Sequence, residues 1–423
     1  MADSQDSHRS NGHALTVLRH RDFRLLWFGQ LISTTGQQMQ TVTLAWHLFN
    51  LTDSTFQVGL IAFFGILPFL VLSFIGGAVA DQVDRKHVIL VTQSATMATT
   101  FVLVGATVAD IVTPGIIFGV AFVTGATRAF DAPARQALIP NLVPRGELAN
   151  ALTLNTLLRQ MATIVGPGVG GLLIGFFGVS AAYMINGLTY VAVIGALLAM
   201  GPVPATIVRS TAGRFEQVLG GLRFARGEPV VLSLLSLDFM VTVLGSTRAL
   251  MPAFARDVLA VGPEGLGLLY AAPAAGAVVG ALILGAFGVT WRNTWIVLIV
   301  SAAFGACVLG FGLAIAFPIA LIFLFGSGLA DVVGEVMRAT IVQLRTPDQV
   351  RGRVTALSVM FTTGGPQLGQ LQSGAIASFA GPAGAAVIGG SAVVAIALAF
   401  TANRHLRVSA THEPAQLGTA SGG

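Results

Sequence analysis

The chain has 423 residues, of which 54% are hydrophobic and only 10% are charged, and its mean hydropathy is +0.80. A soluble globular domain carries about 25% charged residues, so this composition excludes an ordinary soluble protein. The net charge of +5 comes largely from bases in short segments between apolar runs, a pattern typical of membrane topology signals and not of nucleic-acid binding. A single cysteine, Cys307, excludes an internal disulfide.

Apolar runs long enough to cross a bilayer, about 20 residues each, follow one another along the chain. They are predicted at 24–49, 55–80, 88–109, 112–136, 150–175, 180–201, 230–254, 264–288, 294–314, 316–340, 354–378 and 383–402. The sequence therefore predicts an all-α membrane protein with twelve transmembrane helices in two sets of six.

The polar segments divide these helices into domains. The predicted order is a disordered tail 1–20, an N-terminal bundle 21–201, a linker 202–228, a C-terminal bundle 229–403 and a disordered tail 404–423. The apolar spacing of FEQVLGGLRFA within the linker also predicts an interfacial helix. No short apolar segment with a small-residue cleavage site opens the chain, so we expect a cytosolic tail and no cleaved signal peptide.

Loop charges predict the orientation. Every second loop carries bases, including Arg21, Arg85, Arg145, Arg292 and Arg351, while the intervening loops carry mainly acids. Because basic loops stay in the cytoplasm, both termini are predicted to be cytoplasmic.

The two halves of the chain are related in sequence. The segment GATRAFDAPARQALIPNLVP from Gly125 aligns with GLADVVGEVMRATIVQLRTP from Gly328. At this same offset the matched pairs are Arg135 with Arg338, Pro144 with Pro347, Gly166 with Gly369, Gly171 with Gly374, Gly59 with Gly262, and Gly77 with Gly280. Parallel six-helix repeats of this kind build secondary transporters with the substrate site between them.

The segment GGAVADQVDRK, between the second and third predicted helices, resembles the loop signature of the major facilitator superfamily. The resemblance implies a cytoplasmic latch in which Gly77 permits close helix approach, Asp81 caps or pairs across the half, and Arg85 and Lys86 hold the cytoplasmic surface. Asp84 stands where the family often has glycine. The alternative is a loop whose charges only orient the chain.

A second signature lies in the fifth predicted helix, IVGPGVGGLLIG. Gly166, Pro167, Gly170 and Gly171 resemble the antiporter motif of major facilitator exporters. Plain helix packing by small residues is equally compatible with these residues. The pattern also matches Gly-x-Gly-x-x-Gly, but it follows no strand, so a dinucleotide site is not predicted.

Three further segments resemble the bacterial enterobactin-exporter branch of the superfamily, whose close relatives include macrolide efflux pumps. They are STFQVGL near Ser54, VLGGLRFA near Val218 and GLLYAAPAAGAVVGAL near Gly267. The resemblance covers nearly the whole chain and implies a multi-pass transporter of the bacterial inner (cytoplasmic) membrane.

Charges inside apolar runs are costly, so they are functional candidates. Arg159 and Arg248 could bind a planar anion such as a catecholate or carboxylate through paired hydrogen bonds, and Asp238 could carry the coupling proton. The alternative is a structural ion pair, such as Asp238 with Arg159, that secures helix packing.

A second group of charges lies towards the predicted cytoplasmic ends. Arg128 and Asp131 in the fourth helix mirror Asp331 and Glu335 in the tenth. We expect Arg128 and Asp331 to form a gate between the halves. Local pairs, Arg128 with Asp131 and Glu335 with Arg338, are the alternative.

The first predicted helix is unusually polar. Gln30, Gln37 and Gln40 share its face with Ser33 and Thr41. Because lipid would leave amides without hydrogen bonds, this face is predicted to line the substrate cavity.

Together these features predict a monomeric, proton-coupled exporter of a small hydrophobic or amphipathic molecule, drug-like or siderophore-like, that works by alternating access. Its expected partners are the substrate, protons and the lipid bilayer, with no nucleic acid. No cofactor or metal is expected, and the proton gradient is the energy source. The alternatives are an importer of the same fold, a membrane-embedded enzyme, and a sensor or scaffold. The chain has no Gly-x-x-x-x-Gly-Lys-Ser/Thr, His-Glu-x-x-His or Gly-x-Ser-x-Gly motif.

Overall fold

The computed structural model of the chain describes residues 14–201, 214–287 and 294–402. The helices are α1 (Arg21–Thr52), α2 (Thr55–Gln82), α3 (Arg85–Val108), α4 (Pro114–Leu138), α5 (Leu148–Ala199), α6 (Arg214–Gly227), α7 (Pro229–Leu244), α8 (Met251–Ala253), α9 (Gly262–Phe287), α10 (Thr294–Gly312), α11 (Phe317–Arg345) and α12 (Asp348–Thr401). Short 3-10 turns lie at Ala14–Arg19, Ile139–Asn141 and Arg145–Glu147, and a π-helical turn, Phe254–Val258, follows α8.

Length and apolar composition make this a multi-pass membrane protein. Eight of the described helices can span a bilayer by these criteria, or nine if the bent pair Leu219–Gly227 and Pro229–Leu244 is one span. The all-helical architecture predicted from the apolar runs is therefore confirmed.

Helix α5 is a hairpin of two arms. Its 52 residues would extend about 80 Å in a straight helix, far more than a bilayer core of about 30 Å. Gly178 breaks it with φ 81° and ψ 172°, a backbone conformation that favours glycine. Along α1 the contacts are Trp27 with Leu154 and Gln38 with Thr163 in the first arm, and Gly29 with Val193 and Gly36 with Asn186 in the second. The arms therefore run in opposite directions beside α1.

The last helix, α12, repeats this construction. Its 54 residues are broken at Gly381, with φ 72° and ψ 168°. Gly178 and Gly381 are separated by the same offset as Gly125 and Gly328. The repeat seen in the sequence is thus also present in the backbone, since equivalent glycines form equivalent hairpins.

The two halves of the molecule, α1–α5 and α6–α12, meet at one end. We call the end that holds Arg21, Arg85, Arg145 and Arg351 the basic end, and the end that holds the hairpin glycines the hairpin end. One hydrophobic cluster at the hairpin end combines both halves, including Trp46, Phe49, Phe254, Leu266 and Phe311. At the basic end, the clusters among the described residues each belong to a single half. The halves are therefore packed together at the hairpin end.

Glycines allow this close contact between backbones. A Cβ at Gly171 would lie 2.4 Å from the Pro263 carbonyl oxygen, and a Cβ at Gly374 would lie 2.5 Å from the Thr55 carbonyl oxygen. Gly171 and Gly374 are equivalent in the repeat. Each therefore brings one half against the backbone of the other.

The polar segments differ in part from prediction. Ala14–Arg19 forms a 3-10 turn with Val17 fully buried, within the segment 1–20 that was predicted to be disordered. Burial of Val17 against the start of the N-terminal bundle orders these residues. A helix, α6, lies within the linker as predicted, and residues 202–213 and the tail from 403 lie outside the described ranges.

Candidate functional site

A buried ion pair joins two helices of the C-terminal half. Arg338 of α11 places Nε and Nη2 each 2.7 Å from Oδ1 of Asp238 on α7. The side chains are only 5% and 9% exposed, and Nη1 of Arg338 lies 3.4 Å from the Ser301 hydroxyl. Opposite charges can remain so deep in apolar surroundings only when they are paired. Asp238 therefore has Arg338 as its partner, which differs from the pairing with Arg159 considered above.

Two further carboxylates accompany this pair. Asp331 lies about two turns before Arg338 and Glu335 about one turn before it, on the same face of α11. The charges of both interact with those of Asp238 and Arg338, and Arg248 also acts on Asp331. In the described part of the chain neither Asp331 nor Glu335 forms an ion pair. The alternative local pair of Glu335 with Arg338 is thus not formed, because Asp238 holds that guanidinium.

A cavity of about 210 Å³ adjoins the ion pair. It lies between α7, α11 and α12, and its lining includes Leu234, Asp238, Glu335, Val342, Arg351 and Ser358. Arg351 is 52% exposed and pairs with Asp348 at 2.6 Å, so it marks the mouth of the cavity at the basic end. The cavity therefore leads from the basic end to the buried acid, along walls that are partly apolar and partly polar.

The repeat places a guanidinium at the equivalent position of the N-terminal half. Arg135 donates to Asp131 one turn earlier on α4. Asp131 also accepts hydrogen bonds from the Thr92 hydroxyl, at 3.2 Å, and the Gln93 amide, at 3.0 Å. The alternative pairing of Asp131 with Arg128 is therefore not formed, because Arg135 and two polar groups of α3 occupy the carboxylate.

The expected gate pair is not formed in this conformation. Arg128 is exposed, and its guanidinium carbon lies 5.9 Å from the centre of the Phe69 ring. No ion pair found among residues 14–201, 214–287 and 294–402 joins α4 to α11. A contact between Arg128 and Asp331 stays a prediction for a state in which the halves meet at the basic end.

The glutamines of α1 lie mainly inside the N-terminal half. Gln40 is buried, and its side-chain oxygen accepts hydrogen bonds from Asn186 of α5 and Thr100 of α3. Gln30 is also buried, whereas Gln37 is half-buried. The prediction that this polar face lines the cavity is wrong for Gln30 and Gln40, because both are buried, and Gln40 is held by α3 and the second arm of α5.

The two candidate anion-binding arginines lie apart from the buried pair. Arg159 is exposed on the first arm of α5 and donates to the Thr156 hydroxyl at 3.2 Å. Arg248 is exposed in the turn after α7, and its carbonyl accepts from the Tyr270 hydroxyl. The binding roles predicted for both arginines stay predictions.

The bases of the latch segment hold helix ends within the N-terminal half. Arg85 donates to the Ala137 carbonyl at the end of α4, at 2.9 Å, and Lys86 donates to the Met200 carbonyl after α5, at 2.7 Å. Cations at helix C-termini satisfy free carbonyls and complement the helix dipole. Gly77 and Asp81 belong to α2, and the surroundings of both residues lie outside the described part of the structure. The neighbouring Gly76 makes the close approach, to the Ala129 carbonyl of α4.

Asp84 caps α3, which explains the departure from the family's usual glycine. Its carboxylate accepts a hydrogen bond from the Lys86 backbone amide at 3.0 Å. Loss of such a cap costs about 0.5–2 kcal/mol with alanine and a few tenths with glycine. We therefore expect Asp84→Ala to lower the thermal unfolding midpoint and Asp84→Gly to leave it nearly unchanged. Equal losses for both variants in a thermal unfolding assay would contradict this role.

The antiporter-like motif lies at the contact between the halves. A Cβ at Gly166 or Gly170 would meet Gln38 or Met39 of α1, and Gly171 faces α9 of the other half. A Cβ at Gly267 would lie 2.6 Å from the Pro167 carbonyl oxygen. The motif therefore serves close packing, and one of its glycines does so across the two halves.

A polar contact at the hairpin end was not predicted from the sequence. Arg256 Nη2 lies 2.7 Å from Asp53 Oδ1, and Nη1 donates to Asn50 at 3.3 Å. Its guanidinium carbon also lies 4.2 Å from the centre of the Phe49 ring. These contacts tie α1 to the turn after α8. Loop charges in the sequence indicated a shared membrane side but carried no signal of the pairing.

Comparison with known proteins identifies a family model and sequence relatives that match this chain. A family model described as "Transmembrane secretion effector" matches residues 12–417. The enterobactin exporters EntS of Salmonella choleraesuis (strain SC-B67) and Salmonella typhi are 27% and 28% identical to this chain. Each alignment covers 91% of this chain and 92% of the relative.

Solved transporters share the fold. The nucleoside transporter NupG superimposes with a TM-score of 0.70 at 14% identity, covering 93% of this chain and 100% of that one. A bacterial homologue of the lysosomal transporter Spinster, inward-facing and unoccupied, gives 0.65 at 16%, covering 95% and 96%. These relatives are transporters and not enzymes, so the enzyme alternative is set aside. The chain belongs to the transmembrane secretion effector family of the major facilitator superfamily.

Proposed function

We propose that the protein is a proton-coupled exporter of a small hydrophobic or amphipathic molecule that works by alternating access in the bacterial inner membrane. The observation that supports this most directly is the buried Asp238–Arg338 pair beside a cavity that leads to the basic end. A buried acid that changes partner or protonation state links ligand binding to proton uptake. Membership of a secretion family favours export.

The proposed topology has twelve crossings. They are α1, α2, α3, α4, the two arms of α5, α7, α9, α10, α11 and the two arms of α12. An even number returns both termini to one side, and the basic end is cytoplasmic by the positive-inside rule. The packed hairpin end then faces outward. The structure corresponds, on this topology, to an inward-facing state that is closed on the outside.

The transport cycle follows from this arrangement. Substrate enters from the cytoplasm or inner leaflet while the basic end is open. Rocking of the halves would open the hairpin end and bring α4 and α11 together. A proton arriving from outside then neutralises an acid of the α7–α11 cluster and favours return to the inward-facing state. The shift can be no larger than the difference in proton affinity between the two states.

The proposed cargo is siderophore-like or drug-like. The two sequence relatives reported above are named enterobactin exporters, and their names make a siderophore-like cargo one candidate for this chain. The partly apolar cavity fits a drug-like amphipathic molecule as well. We propose that the transporter works as a monomer, with the proton gradient as its only energy source and no cofactor.

Transport in inside-out vesicles tests the proposal. Vesicles that contain the protein are given an imposed pH gradient and a panel of macrolides, cationic dyes and catecholates. We expect uptake of at least one compound that stops when a protonophore collapses the gradient. Uptake that continues unchanged after collapse would exclude proton coupling. Accumulation only in right-side-out vesicles would favour the importer alternative.

A further inference from the structure

We infer that the cavity of the C-terminal half binds a cationic amphipathic molecule, an organic amine or quaternary ammonium, in competition with protons at Glu335 and Asp238. The inference names the substrate class of the site described above and rests on the proposed exchange for its transport role. It differs from the anionic cargo first considered for Arg159 and Arg248. Three features support it: the charges around the cavity, the residues that line its wall, and the coupling between proton binding and ligand binding.

The charge balance of the site is negative. Asp238, Glu335, Arg338 and Arg351 line the cavity, and Asp348 pairs with Arg351 at its mouth, so three carboxylates stand against two guanidinium groups. The guanidinium of Arg338 is already held by Asp238. The Glu335 carboxylate lines the cavity and forms no ion pair within the described residues. A cation that enters therefore meets a carboxylate that has no ion-pair partner, whereas an anion is repelled by it.

The mouth of the cavity does not reverse this preference. Arg351 is the base that lines its basic-end opening, and Asp348 neutralises it at 2.6 Å. Between the mouth and Glu335 the wall combines apolar Val342 and Leu234 with the hydroxyl of Ser358. Such a wall suits a ligand that carries an apolar body and one charged group. We therefore expect affinity to require both parts of the molecule.

The effect of proton binding on ligand binding distinguishes a cation from an anion as the exchanged ligand. A cation and a proton compete for the same carboxylates, so each lowers the affinity for the other. Such competition allows a proton moving inward to release a substrate outward. An anion would need Arg338, which becomes free only when Asp238 is protonated. Proton and anion would then bind together and favour movement in the same direction, which opposes proton-driven export.

Binding to the purified protein in detergent, without any gradient, tests the inference. The probes are tetraphenylphosphonium as the cation and 2,3-dihydroxybenzoate as the anion. We expect saturable binding of the cation that weakens as the pH falls towards the carboxyl range, and much weaker binding of the anion. Glu335→Gln should weaken cation binding about tenfold, as expected for loss of a charge-assisted contact. Glu335→Asp keeps the charge and should restore most of the affinity.

Glu228→Gln is the matched control, since Glu228 lies in the same half at the start of α7 and does not line the cavity. It should bind the cation with wild-type affinity. Anion binding tighter than cation binding, or cation binding that Glu335→Gln leaves unchanged, overturns the inference. Glu335-dependent cation binding together with transport that ignores the pH gradient would sustain the inference and refute the proposed function. Gradient-driven transport restricted to anions would refute the inference and sustain the proposed function.

Discussion

Asp238→Asn is expected to abolish gradient-driven transport and to lower the free energy of unfolding by about 3–5 kcal/mol, the cost of leaving one member of a buried pair unpaired. The Arg338 guanidinium is 5% exposed, so water cannot replace the lost carboxylate without opening the packing of α7 against α11. Uptake in vesicles with an imposed pH gradient measures the loss of transport, and denaturant unfolding measures the loss of stability.

A double variant separates stability from transport at this position. Asp238→Leu combined with Arg338→Met removes both charges at similar volume, and replacement of a buried pair in this way is often neutral or stabilising. We expect it to recover stability but not gradient-driven uptake. Asp110→Asn is the control, because Asp110 is exposed with φ 54°, which asparagine tolerates. Wild-type uptake by Asp238→Asn, or proton-driven uptake by the double variant, would remove Asp238 from the mechanism.

Gly171→Ala is expected to shift the protein away from the state closed at the hairpin end. Its Cβ would lie 2.4 Å from the Pro263 carbonyl oxygen and 2.9 Å from the Gly267 Cα, and both are backbone atoms of the other half. Neither can move like a side chain, so the halves must separate. Overpacking of this kind costs about 1–3 kcal/mol, which corresponds to a population shift of roughly five- to 150-fold.

Cysteine accessibility measures this shift. Ala377 is buried in the cluster that joins the halves at the hairpin end, so Ala377→Cys in a Cys307→Ser background reports its opening. In the Gly171→Ala variant, the labelling reagent should modify this cysteine at least several times faster than in the background protein. Gly168→Ala is the matched control, because a Cβ there meets no atom within 4 Å. Equal labelling rates in the two variants would show that the contact does not hold the closed state.

Helices and their repeat were predictable from the sequence because hydropathy and spacing are local properties. The separate apolar runs 150–175 and 180–201 anticipated the two arms of α5, with Gly178 between them. The offset between Gly125 and Gly328 likewise matches the offset between the hairpin glycines. The sequence also identified Asp238 as an energetically costly charge inside an apolar run, although it did not identify the partner of that charge.

The partners of the charges were decided by tertiary structure. Asp131 has Arg128 three residues before it and Arg135 four residues after it, and both spacings fit one helix face. Thr92 and Gln93 of α3 donate to Oδ1 of Asp131, and Arg135 donates to Oδ2. No local rule contains the position of α3, so the sequence could not choose between the two arginines.

The sequence by itself thus determined that this protein is a membrane-spanning, two-repeat helical transporter, and it identified Asp238 as a costly charge. Only the tertiary structure showed that Arg338, 100 residues away, neutralises Asp238 and that Glu335 faces a cavity. It also placed Gln40 inside the N-terminal half. The physical reason is that apolar length decides whether a helix enters the membrane, whereas the partner of each polar group depends on which helices pack beside it.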